Sequence, residues 1–202
     1  MKVAIIDYGM GNIGSVQNAL KEIGAQPAVV QHPKEVKKFN RIILPGVGAF
    51  GDAMRILRER GLDEALTQAV EKGTPLLGVC LGMQLIASSS EEGGDHRGLN
   101  WIDAKVVRLK AKAGVKIPHI GWNSVSFQKK SPLIEGVPDG SDFYFVHSYH
   151  VVCKNKKDVL ATCEHGQTFA AMLARDNLYA AQFHPEKSQR EGLKILSNFL
   201  KC

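Results

Sequence analysis

From Lys2 to Cys80, short apolar runs alternate with amphipathic stretches, and this alternation constrains the fold more than any other feature of the chain. Residues 2–6, 27–31 and 41–44 read as strands, as does the apolar run Pro75, Leu76, Leu77 ahead of Cys80. Between them, residues 13–24 place Ile13, Val16, Leu20 and Ile23 on one helical face with Gly24 as the stop, and helical patterns cover 51–60 and 62–72. Strand–helix–strand repetition predicts an α/β fold with a mainly parallel, flavodoxin-like sheet flanked by helices, since parallel strands need crossovers that run back over the sheet. Ligands on such sheets bind beyond the carboxyl ends of the strands, where Cys80 falls.

The second half reads differently. Strands are expected near 101–109, 123–127, 142–149, 159–163, 168–174 and 178–183, which adds antiparallel strands to the sheet. Turns at Glu92-Gly93-Gly94-Asp95 and Pro138-Asp139-Gly140 punctuate them. A final helix at about 188–200 carries Leu193, Leu196, Phe199 and Leu200. No linker, repeat or low-complexity stretch interrupts the 202 residues, so a single domain over 1–202 is expected.

Gly78-Val79-Cys80-Leu81-Gly82 sits between the apolar run and a helical one (Met83, Gln84, Leu85, Ile86), the strand–turn–helix setting of a nucleophile elbow with Cys in place of Ser. The glycines permit a sharp turn that lifts the sulfur above the strand ends. A helix starting at Leu81 or Gly82 points its positive end at Cys80, which favours thiolate, and the Leu81 N–H is the natural oxyanion donor. His184-Pro185-Glu186 supplies a base and a carboxylate. Read as an extended segment, it turns both side chains to one face. Nucleophile, base and orienting acid are the three roles that acyl transfer needs.

Two loops belong to the same end of the sheet. Pro45-Gly46-Val47-Gly48 follows a strand and allows close backbone approach, making Val47 and Gly48 a second source of oxyanion N–H donors. Asp7-Tyr8-Gly9-Met10-Gly11-Asn12 ends the first strand. Its Gly9-x-Gly11-x-x-Gly14 spacing imitates a dinucleotide loop, but His32 and Pro33 stand where a ribose-binding acid belongs, so no cofactor is expected. His147 and His150 lack a third ligand nearby in sequence, so no metal is expected either.

Composition narrows the setting. Four cysteines without C-x-x-C spacing indicate reduced thiols in a cytoplasm; Cys153 and Cys163 read as structural and Cys202 as incidental. Neither a leader peptide nor a membrane span is legible. The net charge of +6 lies in local clusters, of which Arg108, Lys110 and Lys112 alternate with Val107, Leu109 and Ala111 as on a strand with one wet face. None interleaves aromatics with basic residues, so no nucleic-acid partner is expected.

Together these residues resemble class I (triad) glutamine amidotransferases. The segments Asp7 to Asn12, Pro45-Gly46-Val47-Gly48-Ala49-Phe50, Pro118-His119-Ile120-Gly121-Trp122-Asn123 and Phe143 to Tyr149 are similar, over essentially the whole chain, to the glutaminase subunit of imidazole glycerol phosphate synthase. The resemblance implies that Cys80, His184 and Glu186 hydrolyse glutamine to glutamate and ammonia. It implies glutamine-binding roles for Gly48, Gln84, Glu92, His147, Ser148 and Tyr149. It further implies transfer of ammonia to a separate (β/α)8-barrel cyclase, contacted by Asn12, Trp122 and Lys187, in histidine biosynthesis. The cyclase then forms imidazole glycerol phosphate and an aminoimidazole carboxamide ribotide. The residues by themselves also admit a stand-alone cysteine hydrolase or a non-catalytic binding module of the same fold.

Overall fold

The computed structural model describes residues 2–110, 112 and 114–202. Strand β1 (Lys2–Ile6), helix α1 (Ile13–Glu22), β2 (Gln26–Val30), a short α2 (Pro33–Val36), β3 (Ile42–Gly46), α3 (Phe50–Glu59), α4 (Leu62–Glu71) and β4 (Leu76–Cys80) follow the expected alternation. Only α2 was not foreseen; Pro33, with φ already set, opens it. The chain continues through α5 (Leu81–Leu85), β5 (Ala87–Ser90), β6 (His96–Arg97), β7 (Ile102–Arg108), β8 (His119–Phe127), β9 (Asp142–His147), β10 (Tyr149–Cys153), β11 (Val159–Glu164), β12 (Thr168–Arg175), β13 (Leu178–Ala181) and α6 (Gln189–Phe199).

Nine strands form one sheet in the order β2-β1-β3-β4-β13-β12-β11-β8-β9. The segment β2-β1-β3-β4-β13 is parallel throughout, and from β13 to β9 every pairing is antiparallel. Side-chain alternation divides the core between the two faces. Val3, Ile5, Ile43, Leu77 and Val79 pack with Val16 and Leu20 of α1 and Ile195 and Phe199 of α6. Ala4, Ile6, Ile42, Leu44 and Leu76 pack with Phe50, Leu57, Leu62 and Leu66 of α3 and α4 and with α5. The parallel segment is thus covered on both faces, as predicted.

Three expectations need correction. The single strand expected at 142–149 is two strands in two sheets: β9 pairs with β8, while β10 pairs with β7 in a separate four-stranded sheet, β10-β7-β5-β6. The chain changes sheet at Ser148, whose carbonyl accepts from Leu109 N at 2.8 Å. Uniform apolar–aromatic patterning carries no mark of such a transfer. The strand expected at 123–127 begins earlier, at His119, and pairs with β9 from His119 to Ser124. The strand expected to reach 183 stops at Ala181. Within β7, Ile102, Ala104 and Val106 are buried and Asp103 and Lys105 exposed, but the strand ends at Arg108, so Leu109, Lys110 and Lys112 of the expected alternation lie beyond it; Ala111 lies outside the described residues.

Candidate active site

Cys80 ends β4 with φ +54° and ψ −110°, a strained conformation for a residue with a side chain, and α5 starts at the next residue. Two glycines make the turn possible. A Cβ on Gly78 would lie 2.7 Å from the Gly82 carbonyl oxygen, and one on Gly82 would lie 1.8 Å from the Leu44 carbonyl oxygen of β3. The elbow is thereby wedged against the neighbouring strand. Leu81, first in α5, has an N–H without an acceptor inside the helix. The sulfur lies 4.0 Å from the Val146 carbonyl at the end of β9.

His184 and Glu186 reach Cys80 from beyond β13. Their pairing is not that of an extended segment: His184 is extended, but Pro185–Lys187 is a 3-10 turn. The turn achieves the same result, with His184 Nδ1 2.8 Å from Glu186 Oε1 and both side chains almost fully buried. Around it, His184 N donates to the Tyr144 carbonyl (2.9 Å), and the Ser188 hydroxyl donates to the His184 carbonyl (2.6 Å) while accepting from Tyr144 N (3.0 Å). Burial lowers the proton affinity of His184, but the Cys80 sulfur and the Glu186 carboxylate outweigh it and push the imidazole up to about 9. The influence of the sulfur is that of a close negative neighbour. No hydrogen bond to it is formed, and Nε2 is buried without a partner.

The glycine loop after β3 is half committed. Gly48 has φ +99°, and the Val47 N–H donates to the Met10 carbonyl at 3.1 Å, so it is engaged away from any oxyanion at Cys80. Tyr8 stands under this loop, its hydroxyl 2.5 Å from where a Gly46 Cβ would be and buried without a partner. Burial and the Cys80 charge both raise its pKa. Glu92 joins the same neighbourhood by accepting from Phe50 N at 2.8 Å, which caps α3.

Gln84 is buried below the elbow, donating to the Tyr149 carbonyl (3.0 Å) and Gln182 Oε1 (3.2 Å). His147 departs from the expected site: its ring turns inward, bonded to His119 and tilted against Phe145 and Phe169, and burial pushes its pKa down to about 3. Ser148 and Tyr149 form the corner between the two sheets. Asn12 precedes α1, while Trp122 and Lys187 flank the Tyr144 ring, at 6.1 Å between ring centroids and with the Lys187 ammonium 5.8 Å above it. Gln182, fully buried with Nε2 3.9 Å from the Cys80 sulfur, was not found from sequence. A polar residue closing the otherwise apolar run Leu178 to Phe183 is the signal that could have found it. Burial raises the thiols of Cys153 and Cys163 to about 12, in keeping with structural roles. Among the described residues no group of three or more His, Cys, Asp or Glu is arranged to hold a metal, and no helix is long and apolar enough to cross a membrane.

Comparison with known proteins identifies the family. Residues 4–202 match the family described as glutamine amidotransferase class-I. A Moorella thermoacetica protein named imidazole glycerol phosphate synthase subunit HisH is 51% identical over 197 residues, covering 98% of this chain and 93% of its own. Proteins of the same name from Sulfurimonas denitrificans and Aquifex aeolicus are 50% and 48% identical over 98% of this chain and 97% and 96% of theirs. Among solved structures, PurLQS from Thermotoga maritima superposes with a TM-score of 0.79 at 18% identity, covering 99% of this chain and 97% of that one. A glutamine amidotransferase from Thermotoga maritima gives 0.70 at 17%, covering 100% and 96%. At such identities the superpositions speak for the fold.

Proposed function

The chain belongs to the class-I glutamine amidotransferases, among the HisH subunits of imidazole glycerol phosphate synthase, and from that premise we propose that Cys80, His184 and Glu186 form its glutaminase triad. Cys80 Sγ attacks the side-chain carboxamide carbon of glutamine. The C–N bond breaks, and ammonia leaves with a proton from His184 Nε2. Water, deprotonated by the same nitrogen, then cleaves the γ-glutamyl thioester to glutamate and regenerates the thiol. Glu186 accepts from Nδ1–H, which holds the tautomer and stabilises the imidazolium. The single observation that carries this reading is the strained thiol of Cys80 next to the buried His184–Glu186 pair, whose Nε2 has nothing else to bond.

The oxyanion site is half built. Leu81 offers one N–H; the second, on Val47, is held by the Met10 carbonyl. Rotation of the Gly46–Val47 peptide releases it, a motion eased by Gly46 on its N-terminal side. One such donor is worth on the order of 3 kcal/mol, or about a hundredfold in rate. Gly48, Glu92 and the backbone of Ser148 and Tyr149 border the pocket for glutamine, with Gln84 beneath it.

The ammonia goes to a (β/α)8-barrel cyclase subunit docked over this end of the sheet. On the outer face of the β8–β9 hairpin, Ile120 pairs with Val146 and Trp122 with Tyr144. Ile120 is 60% and Trp122 49% exposed, and the patch runs up to the Val146 carbonyl beside the sulfur. An aromatic and apolar surface adjoining the nucleophile suits a partner that takes the product directly. Asn12 and Lys187 lie at its rim, and the whole chain works as one domain in a cytoplasm.

Assay of glutamate release with and without the cyclase tests this. Cys80→Ala is expected to lose all but about a hundredth of the activity or more while still binding the partner. An electrophilic glutamine analogue should label Cys80 and spare Cys153, Cys163 and Cys202. Substantial turnover by the variant, or labelling elsewhere, refutes the assignment.

A further inference from the structure

Between the β8–β9 hairpin and the nucleophile runs a line of buried polar groups that the thiol chemistry leaves unused. Asn123 Nδ2 lies 3.2 Å from His119 Nε2, His119 Nδ1 lies 3.0 Å from His147 Nε2, and His147 Nδ1 lies 2.8 Å from the Tyr149 carbonyl. The same carbonyl accepts from Gln84 Nε2 at 3.0 Å. Gln84 Nε2 also reaches Gln182 Oε1 at 3.2 Å, and Gln182 Nε2 stands 3.9 Å from Cys80 Sγ. Gln84, His119, His147 and Gln182 are all more than nine-tenths buried.

One fixed point sets the proton positions along the whole line. A carbonyl oxygen only accepts, so His147 Nδ1 carries a hydrogen. Burial keeps both rings neutral at ordinary pH, with His147 pushed down to about 3 and His119 to about 4. His147 Nε2 is therefore an acceptor, His119 Nδ1 donates to it, and His119 Nε2 accepts from the Asn123 amide. The Tyr149 carbonyl also dictates the Gln84 amide, whose nitrogen must face it. Gln182 must then turn its oxygen to Gln84, which leaves its N–H for the sulfur.

We propose that this line is a polar spine for the nucleophile, in which Gln182 donates a hydrogen bond that favours the Cys80 thiolate and His119 acts as a positioning residue that holds the donor in register. The proposal rests on the reading of Cys80 as the nucleophile. An N–H aimed at sulfur stabilises the charged form over the neutral one. A donor whose own oxygen is already engaged keeps that aim without further ordering. The titratable groups facing the sulfur are His184 and Tyr8, and neither belongs to the spine.

Iodoacetamide alkylation of the Cys80 peptide, followed by mass spectrometry across a pH series, measures the thiolate directly. Gln182→Met is expected to move the midpoint up by about one pH unit and to lower kcat about tenfold with little change in KM. His119→Leu moves the midpoint the same way by a smaller amount. His119→Asn, whose amide can place a donor where Nδ1 stood, restores it. An unmoved midpoint in Gln182→Met, or equal shifts in the two His119 variants, overturns the spine. If Gln182→Met does not fold, the His119 pair still decides. Alkylation needs neither glutamine nor partner, so a wild-type complex that releases no glutamate sinks the functional reading separately.

Discussion

From Lys2 to Met83 the buried side chains are apolar, the Tyr8 hydroxyl and the Cys80 thiol being the polar atoms among them; from Gln84 onward the interior also holds His119, His147, His150, Asp158, Gln182, His184, Ser188 and Asn198. The first region holds β1 to β4, four of the five parallel strands, whose burial on both faces leaves little room for polar groups. The second is mostly antiparallel, with one face of β8–β9 open and the other lined by histidines packed against Phe145 and Phe169. Close packing holds Cys80 in place, whereas directional hydrogen bonds hold His184 and its surroundings. Packing depends steeply on volume and little on pH. Networks of buried imidazoles behave the other way round.

The largest effect expected from this contrast is at Gly82. Its Cβ would run into the β3 backbone at Leu44, where no flexible side chain can yield, so Gly82→Ala should cost at least about 3 kcal/mol in a denaturant melt. A variant within about 0.5 kcal/mol of wild type means that the elbow is not wedged and the contrast is overdrawn.

An intermediate effect is expected from acid. His119 and His147 have folded-state values of about 4 and about 3, below the ordinary 6.5, so the unfolded chain binds protons that the folded chain refuses. Their contribution to stability is complete above pH 6.5 and is lost as pH falls toward 4 and 3. His184, raised to about 9, acts oppositely: its contribution is complete below pH 6.5 and is lost as pH rises through 9. Thermal melts of wild type should therefore weaken on acidification, and a His119→Leu, His147→Leu double variant should show a shallower acid limb. Equal acid slopes would remove the histidines as the cause.

The smallest effect on the fold concerns the open face. Trp122 is half exposed, so Trp122→Ala should change stability by no more than about 0.5 kcal/mol. Its affinity for the cyclase should fall about tenfold or more by calorimetric titration, with the triad intact. A large loss of stability with unchanged affinity would assign Trp122 to the antiparallel core instead of to a partner.

The amino-acid sequence by itself determined the elements of the parallel half, α2 excepted, and which three residues the proposed triad is drawn from. Hydrophobic period and glycine placement are local signals, readable within one strand or helix. Gly78 and Gly82 announce the elbow at Cys80 because no other residue fits there, and His184 and Glu186 are near neighbours in the chain. Tertiary structure alone decided what depends on distant segments meeting. That β9 and β10 part company at Ser148 follows from which partners, β8 or β7, offer free edges. That His147 faces inward, where it meets His119, and that Gln182 faces the sulfur with its oxygen held by the Gln84 amide, depends on residues 28 and 98 positions away along the chain. That the Val47 N–H is held by Met10 depends on two loops brought together at the ends of β1 and β3. Hydrogen bonds of this kind leave no period in a sequence, since their geometry exists only once the chain has closed on itself.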